Sequence, residues 1–158
     1  MGRTDRILLM TLAMLAGAVT SHAQEQDEVT IEGDELEVID AENRTIWRGN
    51  VVVVRDGTTI KSDELVVNST DVKQPDGTSK SEVTVLNAKG NVFIKTDSET
   101  ITSETAEIYE QEDRLVASGN VKLVQNKNVV RGQKLNVNLK TKRTVMTGGR
   151  VKGSFVPK

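Results

Sequence analysis

The sequence predicts an all-β protein, an antiparallel meander or roll built from repeated strand pairs, and three observations support this. A Gly-Asn-Val motif recurs at Gly49, Gly90 and Gly119. Apolar and polar residues alternate from Val29 onward, which is the period of a strand with one buried face. Turn-forming residues separate the alternating runs, so strands of about ten residues are joined by short connections.

The first residues form a separate segment, which we interpret as a secretory signal peptide. A start with two arginines is followed by a nearly continuous apolar run over residues 7–19 and by a Ser-His-Ala sequence that ends at Ala23. This pattern predicts cleavage after Ala23 and a mature chain that begins at Gln24. The alternative is a retained membrane anchor, but the run is shorter than the roughly 20 residues that a bilayer-spanning helix needs.

Composition limits what the exported domain, residues 24–158, can be. Without the leader, which contains two arginines and one aspartate, 19 basic and 22 acidic residues remain, and the net charge is −3. A single domain with this charge is not expected to bind nucleic acid. The only histidine, His22, lies in the leader and the chain has no cysteine, so we expect no metal site and no disulfide. Export without disulfides indicates a compartment such as the bacterial periplasm.

The repeat begins in mid-unit, because residues 31–38 match only the second half of the later units. Three full units follow, each opened by Gly-Asn-Val, and a last half-unit opens at Gly149. A period of about 30 residues is typical of stacked β architectures, and an array that starts and stops in mid-unit leaves pairing edges at both ends. Eleven, thirteen, sixteen and eighteen positions after each glycine the same residue classes recur: Ile60, Ser62, Leu65, Val67; Ile101, Ser103, Ala106, Ile108; Val130, Gly132, Leu135, Val137.

Each Gly-Asn pair lies inside an apolar run and not between two runs. A glycine in that position typically marks a bulge or a sharp bend in the strand. A phosphate-binding loop would need a helix after the glycine, and the four valines at residues 51–54 do not favour one. We therefore interpret the pairs as bulges.

The spacing of the units identifies one insertion. Gly49 and Gly90 are separated by a longer stretch than Gly90 and Gly119, or Gly119 and Gly149, whose two intervals are nearly equal. The excess falls in residues 69–81, which contain the turn-forming sequence Pro75-Asp76-Gly77. We interpret residues 69–81 as an inserted surface loop without a functional role.

The sequence does not favour catalysis. The acid pairs Asp34-Glu35 and Asp63-Glu64 could suggest a two-carboxylate hydrolase, but neighbours on a strand point to opposite faces. The third full unit has Gln133-Lys134 at these positions, so we interpret the pairs as a solvated face. The sequence contains neither a GxSxG nor a Walker motif, and we expect no enzymatic activity and no cofactor.

The aromatic content is low, which affects how the interior can be filled. Trp47, Tyr109 and two phenylalanines are the only rings, so the inward faces must be lined by valine, leucine and isoleucine. A sandwich with so few large side chains can leave a lengthwise apolar groove between its layers. The alternative is a plainly packed aliphatic core.

The repeated strands resemble those of a known family. The G-N-V-x-[VIL] strands, the A-x-G-N-V variants at residues 88–92 and 117–121, and the S-x-x-[LA]-x-[VI] continuation resemble the OstA-like family of lipopolysaccharide-export proteins, in particular its LptA branch. The resemblance covers about Val29 to Phe155. It implies an open, slightly twisted antiparallel β-jelly roll in the periplasm, whose V-shaped interior holds the acyl chains of lipid A for outer-membrane assembly.

On this resemblance the aliphatic residues of the inward register would form the lipid-binding groove. If a bulge contained one residue more or fewer than assumed, every side chain beyond it would point to the other face of the sheet, so the prediction depends on the register. The predicted groove residues are Ile31, Leu36, Val38, Val51, Val53, Ile60, Leu65, Val67, Val92, Ile94, Ile101, Ile108, Val121, Leu123, Val130, Leu135 and Val137.

The resemblance also implies partners at the two ends of the array. The N-terminal edge, at Val29 and Ile31, would contact an LptC-like inner-membrane protein or the preceding copy of the chain. The C-terminal edge, at Val145, Val151 and Phe155, would contact the next copy or an LptD-like outer-membrane protein, in a head-to-tail oligomer. Two alternatives stay open: a membrane-anchored LptC-like scaffold of the same system, and a secreted structural β-repeat module that only self-associates.

Overall fold

The computed structural model describes residues 28–157, so the leader and the expected cleavage site between Ala23 and Gln24 lie outside the described residues. The described chain contains ten strands and two single 3-10 turns, at Asp40–Glu42 and Glu110–Glu112. Within residues 28–157 no helix has the length and hydropathy to span a membrane. The strands are β1 (Thr30–Glu32), β2 (Glu35–Ile39), β3 (Arg44–Arg55), β4 (Thr58–Lys73), β5 (Ser79–Lys95), β6 (Glu99–Tyr109), β7 (Arg114–Gln125), β8 (Asn128–Asn138), β9 (Thr144–Thr147) and β10 (Lys152–Ser154).

All ten strands belong to one open antiparallel sheet, which confirms the predicted all-β fold. From β3 to β8 each strand pairs with the next strand in the chain. Each edge consists of two short strands: β1 and β2 pair with β3, and β9 and β10 pair with β8. Among the described residues the outer sides of these four short strands have no partner, so the sheet keeps two free edges.

A line of bulges crosses the sheet at the Gly-Asn pairs, as the sequence predicts. The pairing register shifts at this line on every interface from β3–β4 to β7–β8. Gly49 and Asn50 both have positive φ, 76° and 47°, and the pairs at residues 90–91 and 119–120 repeat this conformation. Bulges bend strands, and because these lie side by side they fold the sheet into two layers.

The two layers pack their apolar faces against each other. Leu65 and Leu135 on one side of the bulge line, and Val51 on the other, are at most 1% exposed. The far ends of the layers meet where Arg55, the last residue of β3, forms a 2.9 Å ion pair with Glu110, which follows β6. Burial of each large aliphatic side chain contributes about 1.5–3 kcal/mol, so the core holds the fold without any disulfide.

The turns predicted from the sequence coincide with the connections between strands. Asn43 and Asp113 end the two 3-10 turns in the left-handed conformation, each with φ of 48°. Asp56 and Asn126 occupy the same region in the short β3–β4 and β7–β8 hairpins. Asparagine and aspartate tolerate this conformation better than other non-glycine residues, which explains why they stand at these positions.

The structure corrects the predicted surface loop over residues 69–81. β4 continues to Lys73 and β5 begins at Ser79, so most of this segment is a two-stranded ribbon that extends the β4–β5 hairpin. Only residues 74–78 form the connection, which a 2.7 Å backbone hydrogen bond closes. The ribbon has no core behind it and so carries polar residues on both faces. Its strands therefore lack the alternation by which strands are recognised in a sequence.

The C-terminal half-unit differs from the full units by one residue. In the sequence Gly149 aligns with the bulge glycines, but in the structure Gly148 takes that place, because it faces the side chain of Gln133 on β8. Four residues, 148–151, lie opposite two residues of β8, whereas three residues do so in the preceding unit. The extra residue separates β9 from β10.

Candidate functional site

All seventeen side chains predicted for the groove lie on one face of the sheet, in rows of directly paired residues that cross the strands. No residue in these rows is charged. One row consists of Ile31, Val53, Ile60, Ile94, Ile101, Leu123 and Val130. A second row, on the other side of the bulge line, consists of Leu36, Trp47, Leu65, Ala88, Ala106, Ala117, Leu135 and Met146.

The middle of this apolar face is sealed and its N-terminal end is open. Thirteen of the seventeen side chains are buried, and Ile31 and Val130 are partly buried against them. Leu36 and Val38, predicted to face the interior, are 46% and 56% exposed. They lie on the edge strand β2. The centre is therefore a packed aliphatic core, and uncovered apolar surface remains at the edge.

Several members of the buried face were not predicted from the sequence. Ala88, Leu115 and Ala117 are at most 5% exposed, and each pairs directly with a predicted groove residue on the neighbouring strand. For the two alanines, the signal that could have found them is their constant distance from the bulge. Ala88 and Ala117 each precede a bulge glycine by two residues, as Trp47 does.

The fold line itself is lined by small residues on its inner side. Ser62 and Ser103 are 5% and 8% exposed and occupy the register position that Gly132 takes in the third unit. A Cβ atom on Gly132 would collide with the side chain of Met146. Small side chains are required here because the two halves of each bent strand approach most closely on the inside of the bend.

On the outer side of the fold line, each bulge is held by a carboxylate. The Asn50 amide donates a 2.8 Å hydrogen bond to Asp34, Asn91 donates one of 2.8 Å to Asp63, and Asn120 one of 2.5 Å to Glu104. A Cβ atom on the preceding glycine would collide with the same carboxylate in all three cases. We call each such unit of glycine, asparagine and carboxylate a clasp; the clasps fix where the sheet bends.

The clasps explain the acid pairs that the sequence analysis interpreted as a solvated face. Asp34 and Asp63 are the clasp acids, and their neighbours Glu35 and Glu64 form ion pairs with Arg48 at 2.9 and 3.4 Å. A constant spacing in the sequence identifies the clasp acids: the interval from Asp34 to Gly49 equals the interval from Glu104 to Gly119. The insertion in residues 69–81 hides this relation for Asp63.

Arg48 forms the largest ion-pair group on the outer face. Its guanidinium donates 2.9 Å hydrogen bonds to Glu37 and to Glu35. The hydrogen bond to Glu37 is the largest cause that raises the pKa of Arg48 above its usual value. Desolvation, the next largest, opposes it, and the bond to Glu35 and the charges of both carboxylates raise the pKa further. The group ties β2 to β3 and so supports the N-terminal edge strand.

The residues predicted for partner contacts lie at the two edges and are mostly exposed. Val29 is 47% exposed beside β1, and Val151 and Phe155 are 43% and 68% exposed around β10. Ile31 faces the core side opposite Val53 and is partly buried. Val145 on β9, 39% exposed, lies on the outer face opposite Asn136.

Within residues 28–157 no group of three or more potential metal-ligating side chains comes together.

The family model described as "LptA/(LptD N-terminal domain) LPS transport protein" matches residues 30–143 of the chain. That match covers β1 through β8 and the connection from β8 to β9.

Two individual proteins illustrate the similarity. An uncharacterised protein of Rhizobium meliloti (strain 1021) is 28% identical over 157 residues, which cover 94% of this chain and 84% of the relative. The crystal structure of LptH from Pseudomonas aeruginosa, described as the LptA-homologous periplasmic component of the lipopolysaccharide transport device, superimposes with a TM-score of 0.70. It is 15% identical and covers 83% of this chain and 96% of LptH, so it shows that the two proteins share a fold.

Proposed function

The chain belongs to the family of LptA and LptD N-terminal-domain lipopolysaccharide (LPS) transport proteins, and from this premise we propose that it is a periplasmic LPS carrier, one link in a bridge between the inner and outer membranes. The acyl chains of lipid A would lie against the apolar face, and copies joined head to tail would extend that face. One observation carries the proposal: uncharged rows run from one edge strand to the other without interruption.

These rows have the chemistry and exposure that a hydrocarbon path needs. The row that starts at Leu36 on β2 ends at Met146 on β9, and its central members Leu65 and Leu135 are at most 1% exposed. Leu36 itself is 46% exposed. A face that is dry in the middle and uncovered at the edge admits an acyl chain from a neighbouring apolar surface and not from water.

Loading requires the two layers to part, and the acyl chains would have to replace the apolar contacts that the side chains of the two layers lose. The inner faces carry no charged side chain, and the ion pair of Arg55 with Glu110 joins the rims outside them. Aliphatic contacts are individually weak and non-directional, so acyl chains can replace side-chain contacts between the layers without breaking hydrogen bonds there. The ion pair of Arg55 with Glu110 would then stabilise the closed arrangement of the two layers.

The energetics favour a passive carrier. Burial of an acyl chain stabilises it by about 0.8 kcal/mol per methylene relative to water, but the membrane that the lipid leaves provides nearly the same gain. The face therefore lowers the barrier to crossing an aqueous space and gives no direction to the movement. Since the sequence has no nucleotide-binding motif, another component of the system has to supply the work.

The two free edges provide the joints of the bridge. Unpaired backbone N–H and C=O groups on β1, β2, β9 and β10 can each accept a further strand, and a head-to-tail contact that does not close generates a filament. The N-terminal edge, with Val29 exposed, would contact an LptC-like inner-membrane protein or the preceding copy. The C-terminal edge, with Val151 and Phe155 exposed, would contact the next copy or an LptD-like outer-membrane protein.

Site-specific photo-crosslinking in cells tests this function. A photoreactive residue in place of Val53 or Leu123 lies on the inner face, and one in place of Val54 or Val124, one position along the same strands, lies on the outer face. We expect LPS adducts from the inner positions and none from the outer ones. The matched pairs control for expression, folding and the general presence of LPS.

Two outcomes would favour the alternatives. Adducts to protein only, at Val53 and Leu123 alike, would indicate a structural module that self-associates around a dry core. A chain that keeps its leader and stays with the inner membrane on fractionation, instead of being processed to start at Gln24, would indicate an LptC-like scaffold.

A further inference from the structure

A basic depression lies on the outer face at the C-terminal edge of the sheet, where the last full bulge meets β10. Its volume is about 280 Å³. Three cations, Arg131, Arg150 and Lys152, line it together with the amide side chains of Asn120 and Gln133. Among the described residues that line it there is no carboxylate. The side chains that line the depression therefore carry positive charge and no negative charge.

Two of these cations, together with Lys122 on the neighbouring strand, also form a row of directly paired residues, which we call the basic row. Lys122 on β7 pairs with Arg131 on β8, and Arg131 pairs with Lys152 on β10. Paired strands are about 4.8 Å apart, and like charges that face each other destabilise a sheet. No ion pair within residues 28–157 includes any of the three. An arrangement that opposes folding in this way is typical of a binding site.

The repeat supplies an internal comparison at the first bulge. An equivalent depression of about 310 Å³ is lined there by Lys61 and Asp63, at the register positions of Arg131 and Gln133. The Asp63 carboxylate accepts the amide of Asn91 and supplies negative charge to the depression. In the basic depression the uncharged amide of Gln133 replaces this carboxylate, and Arg150 and Lys152 are added from the edge. The clasp acid Glu104 accepts the amide of Asn120 beside the depression, so three cations stand against one neighbouring carboxylate. One scaffold thus occurs in a neutralised and in a cationic form.

We propose that the basic depression binds a phosphate group, and that phosphates on the glycolipid cargo are its source; the second part rests on the function proposed above. Arginine binds phosphate through two parallel N–H···O bonds, and lysine adds a mobile point charge. The depression opens beside the free edge where the apolar face ends. A lipid whose acyl chains lie on the inner face can therefore place its headgroup there.

A second copy of the chain is the rival occupant, since its acidic N-terminal edge could pair with β10. Such a strand would lie next to Lys152 only. Arg131 and Lys122 are one and two strands inside the edge, so strand addition leaves their repulsion in place. A small anion seated on the outer face can contact the cations together, which is why the observations favour phosphate.

The first experiment titrates inorganic phosphate into the purified protein and into the double variant Arg150→Gln with Lys152→Gln, by calorimetry. The matched control is Lys61→Gln, which removes a cation from the equivalent depression. We expect saturable binding that is about tenfold or more weaker in the double variant and unchanged in the control. Non-saturable binding, or equal affinity in all three proteins, would overturn the proposal.

Thermal unfolding provides a second readout that does not depend on the lipid. In phosphate-free buffer the double variant should have a higher Tm than the wild type, because the repulsion between Lys152 and Arg131 is removed. Phosphate should raise the Tm of the wild type and of Lys61→Gln but not that of the double variant. A double variant with a lower Tm and an undiminished response to phosphate would contradict the site.

The source of the phosphate is decided with lipid A that carries its phosphates and with dephosphorylated lipid A. We expect dephosphorylation and the double variant to weaken binding similarly and not additively. Equal affinity for the two lipids would remove the assignment to cargo while lipid carriage stands. Failure of both lipids to bind would remove the proposed function, and the phosphate site would then be judged by the titration above. Weakened self-association with unchanged phosphate binding would make the basic row a protein contact and overturn the proposal.

Discussion

The centre and the edges of the apolar face are built from the same repeat, yet they differ in nearly every physical property. At the centre, Leu65 and Leu135 are at most 1% exposed and are enclosed by two layers. At the edge, Leu36 lies in the same row and Val38 in the adjacent row, and they are 46% and 56% exposed. The difference shows that the central units stabilise the fold, whereas the incomplete end units leave apolar surface and backbone free for other molecules.

Truncation of a row at its centre and at its edge should give the largest contrast. Leu135→Ala leaves a cavity in the core and should lower the free energy of unfolding by about 2–5 kcal/mol. Leu36→Ala, in the same row on β2, should change it by at most about 0.5 kcal/mol. Urea unfolding followed by circular dichroism measures both values. Similar losses for the two variants would mean that the edge strand belongs to the core.

The clasps allow a comparison of a central bulge glycine with Gly149, which follows the terminal bulge glycine Gly148 and has no clasp. Gly119 has φ of 83° and faces Glu104, whereas Gly149 has φ of 73° and only the distant side chain of Gln133 near it. Alanine at either position should cost about 1–2 kcal/mol for the left-handed conformation. Gly119→Ala should cost about 1 kcal/mol more, since its Cβ displaces the carboxylate and opens the clasp. Equal unfolding free energies would show that the clasp does not stabilise the bend.

A charge placed at the edge should affect assembly without affecting folding. Val151→Asp, next to β10, should weaken self-association by about tenfold in sedimentation, because it puts a carboxylate at the free apolar edge. The control is Val72→Asp in the ribbon that extends the β4–β5 hairpin, which should leave association unchanged. If the two variants associate equally well, the joints lie elsewhere than at the terminal strands.

The smallest effect is expected at the tip of the same ribbon. The hydroxyl and the N–H of Thr78 donate to Asp76, and the hydroxyl bond first lowers the pKa of Asp76 below its usual value of 3.8. A carboxyl whose pKa falls on folding contributes stability above its unfolded pKa and loses it as the pH drops through the folded value. Asp76→Asn should therefore remove a slight acid sensitivity below about pH 4 that nuclear magnetic resonance of the tip can detect. An unchanged pH profile would exclude this contribution.

The fold was predictable from the sequence because its determinants are local and repeated. Alternation set the face of each strand, and the Gly-Asn pairs set the bulges, so all seventeen predicted residues lie on one face. Ala88 and Ala117, which precede the bulges, were not predicted because the predicted set contains only the repeat positions that follow a glycine. The ribbon at residues 69–81 was missed because it buries no face, and burial is what makes a strand visible in a sequence.

The clasp acids show the limit of such reasoning. Asp34 and Asn50 lie far apart in the chain and meet only because β2 pairs with β3. The basic row of Lys122, Arg131 and Lys152 arises in the same way, from three strands whose register places the cations side by side. Neither can be derived from alternation, since the pairing register is fixed by bulges and hairpins over the whole sheet.

Residue pattern alone was thus enough to predict the all-β class, the repeat, the inward face and the incomplete ends, because periodicity and glycine conformation act within a few residues. The folded sheet was needed to show which parts of the inward face are buried, where carboxylates hold the bulges, and which cations of the described strands face one another. Burial and charge compensation depend on what the folded sheet brings close, and that includes residues from strands far apart in the chain.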